Sequence, residues 1–178
     1  LFTSLEATSS DLLTDFGYKV SKKGFSIGTE FEQYENLFFS PELSIDLENL
    51  DTNSTASSQL KKQEGSYTDI YFNYNVDYDL RNSRYQPSSG YKTSFGQKLP
   101  MVSDNKEVIN TLVITKYKTL SRSSDMIGKA SLYLKAVNSL DGSDVRISKR
   151  GFVPYYRLRG FEKGKIGPIE NSSYIGGN

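Results

Sequence analysis

The stretch Leu37-Phe-Phe-Ser-Pro-Glu-Leu-Ser-Ile-Asp-Leu47 decides the fold. Leu37, Phe39, Leu43, Ile45 and Leu47 share one face of an extended chain, whereas Phe38, Ser40, Glu42, Ser44, Asp46 and then Glu48 share the other. A period of two held this long predicts a strand of about 9 to 11 residues, enough to cross a bilayer and longer than the usual 5 to 6 of globular sheets. The same alternation suits a soluble β-sandwich, in which the apolar face would be buried in protein.

Working outward, Ile70, Phe72, Tyr74, Val76 and Tyr78 alternate with Asp69, Tyr71, Asn73, Asn75, Asp77 and Asp79. Tyr18 to Phe31 reads as a strand that changes phase near Lys22, Lys23 and Gly24, as a bulge would make it do. Tyr91 to Leu99, Glu107 to Leu120 and Ile127 to Val137 follow, and Leu1 to Ala7 reads as the tail of another strand, which makes seven. Glu32 to Asn36 and Ser121 to Asp125 read as tight turns. Thr8 to Asp15, Asp51 to Gly65, Pro100 to Lys106 and everything from Asn138 onward read as long loops. Alternating short and long connections are the pattern of an outer-membrane barrel, and a low mean hydropathy suits strands that turn half their residues to a polar lumen.

Composition removes most chemistry. The 178 residues contain 13 Tyr, 10 Phe, 14 Gly and no Trp, Cys or His, a mixture that favours strands and turns. Without Cys or His there is no thiol nucleophile, no histidine triad, no disulfide framework and no usual zinc set. No catalytic residue, metal site or cofactor is expected, and the chain does not read as an enzyme. Paired carboxylates such as Asp77 and Asp79, or Glu30 and Glu32, share a strand face that reads as lumenal or solvated. Charge is uneven: residues 1–60 carry net −7, 61–138 net +5 and 139–178 net +3. No stacking module accompanies the basic end, so it reads as a solvated or lumenal loop with no nucleic-acid partner. No apolar run reaches the length of a membrane helix.

Two motifs remain. The first, Tyr78-Asp-Leu-Arg-Asn-Ser-Arg-Tyr-Gln-Pro-Ser-Ser-Gly90, joins two long strands through a turn that Pro87 and Gly90 favour. The second runs Arg157-Leu-Arg-Gly-Phe161 to Ile166-Gly167-Pro168, with Gly176-Gly177-Asn178 behind it. Arg159 offers a rigid fork of donors, Gly160 permits close backbone approach and Phe161 supplies an apolar anchor; an exposed basic loop accounts for the same residues.

Together these motifs resemble the bacterial surface antigen or outer-membrane assembly factor superfamily, and its BamA-type members in particular. Asp79, Arg81, Asn82, Pro87 and Gly90 resemble the periplasmic hairpin, with Asn82 where the family often has Asp and Ser88 in place of Thr. Leu158, Arg159, Gly160, Phe161, Ile166, Gly167 and Pro168 resemble the motif of extracellular loop six. The resemblance covers the whole chain. It implies an antiparallel transmembrane β-barrel of sixteen strands, preceded by periplasmic POTRA domains, in the outer membrane of a Gram-negative bacterium. Residues 1–178 would be about seven of those strands, an internal piece of the C-terminal barrel domain, with loop six over 139–178. POTRA domains and the remaining strands would lie outside it, since open sheet edges are untenable in lipid. Implied function is assembly and membrane insertion of other barrel proteins, with client outer-membrane proteins, lipid and accessory lipoproteins as partners. Arg159 would contact acidic residues beyond Asn178. A related translocator, for autotransporter assembly or two-partner secretion, and a soluble β-sandwich binding module are the alternatives.

Overall fold

The structure is a computed structural model that describes residues 1–54, 56–121, 123, 125–153, 157, 160–162, 166–170, 173, 174, 176 and 177. Seven long strands follow one another in an antiparallel sheet: β1 (Phe2–Leu12), β2 (Tyr18–Gly28), β4 (Leu37–Thr52), β5 (Gly65–Asp79), β6 (Gly90–Val102), β7 (Glu107–Ser121) and β8 (Met126–Ser139). A short β3 (Phe31–Tyr34) folds back on the start of β4. Two short helices, α1 (Leu13–Phe16) and α2 (Ser58–Lys62), lie in the connections at one end of the sheet. After β8 come the two-residue strands β9 (Ile169–Glu170) and β10 (Ser173–Tyr174), which pair with each other.

The faces are inverted relative to a soluble protein. On β4, Leu43, Ile45 and Leu47 are 47%, 43% and 50% exposed, whereas the intervening Ser44, Asp46 and Glu48 are 6%, 5% and 4% exposed. An outward apolar face and an inward polar face belong to a membrane barrel wall, and this overturns the soluble β-sandwich alternative. Register carries the pattern across the wall: Ile45 stands opposite Phe25 and Ile70, and Phe72 opposite Leu43 and Leu99. Outward rings cluster toward the short-turn end, with Phe31 against Phe39, Phe39 against Tyr74, and Tyr78 against Tyr91 at centroid distances of 5.7, 6.1 and 6.1 Å. That is the position of an aromatic girdle.

Four boundary expectations need correction. Thr8 to Leu12 is strand, paired residue by residue with Tyr18 to Lys22, and only the α1 turn separates β1 from β2. Those residues read as loop because Ser and Thr occupy both faces. No bulge interrupts Lys22, Lys23 and Gly24, whose register against β4 is continuous. Phase changes there because Tyr18 and Val20 point inward to an apolar cap at the long-loop end while Lys22 faces the polar lumen below it. Pro100 to Val102 belongs to β6, and the register shift opposite Ile70 and Tyr71 accommodates a proline that donates no ladder bond. Of the turn expected over Glu32 to Asn36, Glu32 to Tyr34 belong to β3 and only Glu35 and Asn36 form the turn.

The cap is the one apolar core among the described residues. Tyr18, Leu50, Ala56, Leu60 and Ile147 are buried together, with Leu12, Phe16, Val20, Tyr67 and Phe152 packed against them. Ser57 starts α2 by accepting a hydrogen bond from the Leu60 backbone N–H, 3.2 Å. Gly17, at φ +79°, ends α1 in a conformation that favours glycine. Leu60 and Ala56 are thereby turned down onto Leu50.

Candidate functional site: a loop anchored inside the barrel wall

The segment after β8 turns back into the concave side of the wall. Val145, Arg146, Ile147 and Lys149 are buried. The turn closes on itself: Arg146 C=O accepts from the backbone N–H groups of Lys149 and Arg150, at 2.9 and 3.2 Å.

An acidic wall requires this. Asp46 of β4 and Asp69 of β5 stand directly opposite each other on the inner face, a juxtaposition of like charges that destabilises a sheet unless cations intervene. Lys22 of β2 meets Asp46 at 3.1 Å. Arg146 meets Asp69, with Nη2 donating to Oδ2 at 2.5 Å. Glu48 and Glu107 complete the acidic set. Arg146 Nη1 lies 3.7 Å from Glu48, Nη2 lies 3.7 Å from Glu107, and the Arg146 backbone N–H donates to Glu107 Oε1 at 2.7 Å. Lys149 Nζ stands 3.6 Å from Glu48 and 3.3 Å from Asp69.

Further hydrogen bonds fix the rest. Ser148 Oγ donates to Glu48 at 2.5 Å, Ser103 Oγ donates to Asp69 at 2.6 Å, and Lys135 Nζ donates to the Lys149 carbonyl at 2.9 Å. From the cap, Gln63 accepts the Ile147 N–H at 2.9 Å. The Arg146 guanidinium lies over the Tyr67 ring, 4.4 Å from its centroid. Burial by itself would lower the Arg146 pKa, but its hydrogen bond to Asp69 and the charges of Asp69, Glu48 and Glu107 outweigh that and hold it above the ordinary value. Below lies a cavity of about 510 Å³ bordered by Lys22, Lys98, Lys135 and Lys149.

Beyond this turn the loop is pinched. Gly151 and Gly177 exchange two backbone hydrogen bonds of 2.8 and 2.9 Å, so the chain between them forms a closed excursion. A side chain at Gly176 would strike the Phe152 ring, and its φ of +71° favours glycine as well. Arg157 stacks on Tyr133 of β8, 3.7 Å from the ring centroid. Among the residues singled out from sequence, Leu158 and Arg159 lie outside the described residues. Gly160 and Phe161 are exposed, Pro168 likewise, with Ile166 half-buried beside Gly167. Sequence reasoning passed over Arg146 and Lys149, whose acidic partners lie between 39 positions (Arg146 to Glu107) and 101 positions (Lys149 to Glu48) away.

At the opposite end, the hairpin motif is built tightly. Asp79 takes both Nε and Nη2 of Arg81, at 2.8 and 2.6 Å, and this raises the Arg81 pKa. Asn82 Oδ1 accepts the backbone N–H groups of Ser88 and Ser89, each at 3.0 Å, while its Nδ2 donates to Ser88 Oγ at 2.8 Å. Gly90 has φ +94°, and a Cβ there would collide with the Leu80 carbonyl. Asp79, Arg81, Asn82 and Gly90 thus belong to one turn, and Pro87 lies within it beside Ser88, which Asn82 binds. The Asp77 carboxylate binds Lys92 at 2.9 Å and Asp79 binds Arg81, so the two are separately paired.

Residues 3–178 match the Omp85 superfamily domain. The chain belongs to the Omp85 superfamily. Its fold is similar to the crystal structure of BamA from Haemophilus ducreyi lacking POTRA domains 1–3, with TM-score 0.79 and 21% identity over 98% of this chain. The match covers 38% of that BamA chain, so the present chain spans well under half its length. A search of curated proteins by sequence found no match. An Omp85 barrel wall of this kind resides in the bacterial outer membrane. No helix among the described residues is long and apolar enough to cross a membrane. The described residues contain no group of acidic side chains placed to hold a metal ion.

Proposed function

We propose that this chain is part of the barrel of a BamA-type assembly factor, in which it supplies stable wall and the lumenal loop while the whole protein folds and inserts other barrel proteins into the outer membrane. The observation that carries the reading is the loop after β8, seated on the inner wall and bearing the Arg-Gly-Phe motif, in a chain of the Omp85 superfamily. On this reading residues 139–178 are loop six on the extracellular side, and the Tyr78–Gly90 hairpin is periplasmic. Work is done by binding and by bilayer distortion, without bond-making chemistry or a cofactor: client strands add by backbone pairing at a seam elsewhere in the barrel. Client barrel proteins, surrounding lipid and accessory lipoproteins are the partners, and POTRA domains would precede the barrel.

The test is reconstitution of the full-length protein in liposomes with a urea-unfolded barrel protein. Folding of the client, read as its heat-modifiable band, should speed up relative to empty liposomes; an unchanged rate rejects the reading. Translocation of an unfolded passenger without folding of barrel clients would favour the two-partner secretion alternative.

A further inference from the structure

We propose that Arg146 and Lys149 are positioning residues that anchor the base of the lumenal loop, and that this anchor, with the Gly151–Gly177 pinch behind it, holds the loop in the barrel independently of the motif at its tip. The inference rests on the functional reading only for what the loop is for; the anchoring itself stands on geometry.

Three acidic side chains from three strands, Glu48 of β4, Asp69 of β5 and Glu107 of β7, converge on one short turn. Left alone, they would be like charges in a site closed to water, a strongly unfavourable arrangement. The turn brings two cations, and it also brings the Arg146 and Ile147 backbone N–H groups to Glu107 and Gln63. Every residue from Arg146 to Lys149 is therefore tied to the wall or the cap by a side-chain or backbone bond. Beyond the pinch Arg157 stacks on Tyr133, Phe161 is exposed, and a Cβ at Gly160 would meet no atom of this chain within 4 Å. The pinch isolates one region from the other, because a movement of the excursion need not pull on residues before Gly151.

The chain has no cysteine, which makes a thiol reporter clean. In the full-length protein, in outer-membrane vesicles and with any other cysteines removed, Val145→Cys places a thiol at a buried anchor position and Leu140→Cys an exposed control. Maleimide labelling at position 145 should be slow in the parent and in Arg159→Ala, rise about tenfold or more in Arg146→Ala as the base opens locally, and return to slow in Arg146→Lys. Exchange of the pair, Arg146→Asp with Asp69→Arg, should also restore protection. Equal labelling in Arg146→Ala and parent overturns the proposal, as does exposure of position 145 by Arg159→Ala to the same extent. Should Arg146→Ala fail to give the heat-modifiable folded barrel, Lys149→Ala is read instead: faster labelling supports the anchor and unchanged labelling overturns it. Client folding is scored separately, so a parent protein that folds no client refutes the functional reading and leaves the labelling result standing.

Discussion

Arg146 and Asp69, 77 positions apart, meet side chain to side chain at 2.5 Å with both wholly buried. This single pair joins the loop after β8 to the middle of the wall. Asp69→Asn leaves Arg146 near Glu48 and Glu107 but removes its closest carboxylate and places a neutral amide beside two cations. Breaking one partner out of a buried charge pair typically costs about 3–5 kcal/mol. The remaining carboxylates lower that expectation to about 2–3 kcal/mol, seen as a fall in the temperature at which the folded band disappears on a gel. An unshifted transition would show that water or the other acids already satisfy Arg146.

In the hairpin, Asn82→Asp and Asn82→Ala should separate. Aspartate keeps both acceptor bonds from Ser88 and Ser89 and loses only the donation to Ser88 Oγ, whereas alanine loses all three. Alanine should destabilise by about 1–2 kcal/mol and aspartate by much less, since an unsatisfied backbone donor is the expensive element. Gly90→Ala should be worse than either because the added carbon meets the Leu80 carbonyl at a φ that disfavours L-residues. Urea unfolding of the three variants in detergent checks the order; equal midpoints for Asn82→Ala and Asn82→Asp would contradict it.

The inverted faces make a directional prediction. Ile45→Arg puts a charge on the lipid side of β4 and should cost about 2–4 kcal/mol if that position lies near the bilayer centre. Ser44→Ala, one residue away on the inner face, leaves only the 2.9 Å bond from Asn73 unmade and should cost under about 1 kcal/mol. Folding yields into liposomes measure both. A soluble sandwich would give a well-tolerated Ile45→Arg.

How far the sequence announced this follows from which residues meet which solvent. Where one face meets lipid and the other water, alternation is sharp, and Leu37 to Leu47 and Ile70 to Asp79 were legible as strand, although β4 continues to Thr52 and β5 begins at Gly65. Under the cap, inward residues are apolar too, so Tyr18, Val20 and Leu50 blurred the period and produced a bulge that is not there. Thr8 to Leu12, polar on both faces, resembled a loop although every residue is paired. Pro87 and Gly90 were visible as turn chemistry, whereas Asn82 was singled out only by the family resemblance, although its bonds to Ser88 and Ser89 are local. Arg146 was not visible: its partners come from distant strands, and nothing in Asp144-Val-Arg-Ile-Ser-Lys149 distinguishes a buried arginine from an exposed one. A hint existed in Asp46 and Asp69, whose opposition follows from the register of two recognisable strands and calls for a cation on each.

Acid should loosen the exit from β8. Asp141 accepts from Ser143 Oγ and N, from the Lys106 N–H and from Ser139 Oγ, and these bonds hold its carboxyl well below the usual range. A carboxyl with a depressed folded pKa stabilises above its unfolded value near about 4 and loses that contribution as pH falls toward its folded value. Amide exchange at Lys106 and Ser143, corrected for intrinsic rate, should be flat between about pH 7 and 5 and accelerate below about pH 4. Asp141→Asn should weaken protection already at neutral pH; identical protection in that variant would remove Asp141 from the account.

On the outward face of β5, β6 and β7, Tyr74, Gln97 and Asn110 stand in one cross-strand row, hydrogen-bonded in sequence. Tyr74 Oη donates to Gln97 Oε1 at 2.9 Å, and Gln97 Nε2 donates to Asn110 Oδ1 at 2.5 Å. Polar groups facing lipid are tolerated only when they satisfy one another, so the three should behave as a unit. Gln97→Leu strands both the Tyr74 hydroxyl and the Asn110 amide, whereas Gln97→Leu combined with Asn110→Leu and Tyr74→Phe removes every stranded group and adds apolar surface on the lipid side. The single substitution should therefore destabilise the barrel and the triple should recover most or all of the loss. Coupling between such groups in membranes averages about 0.6 kcal/mol per pair, so the cycle needs reversible unfolding in liposomes, where differences of that size are resolved. Strict additivity across the three positions would mean that the row is hydrated, and that the apolar band of the wall is interrupted at this height.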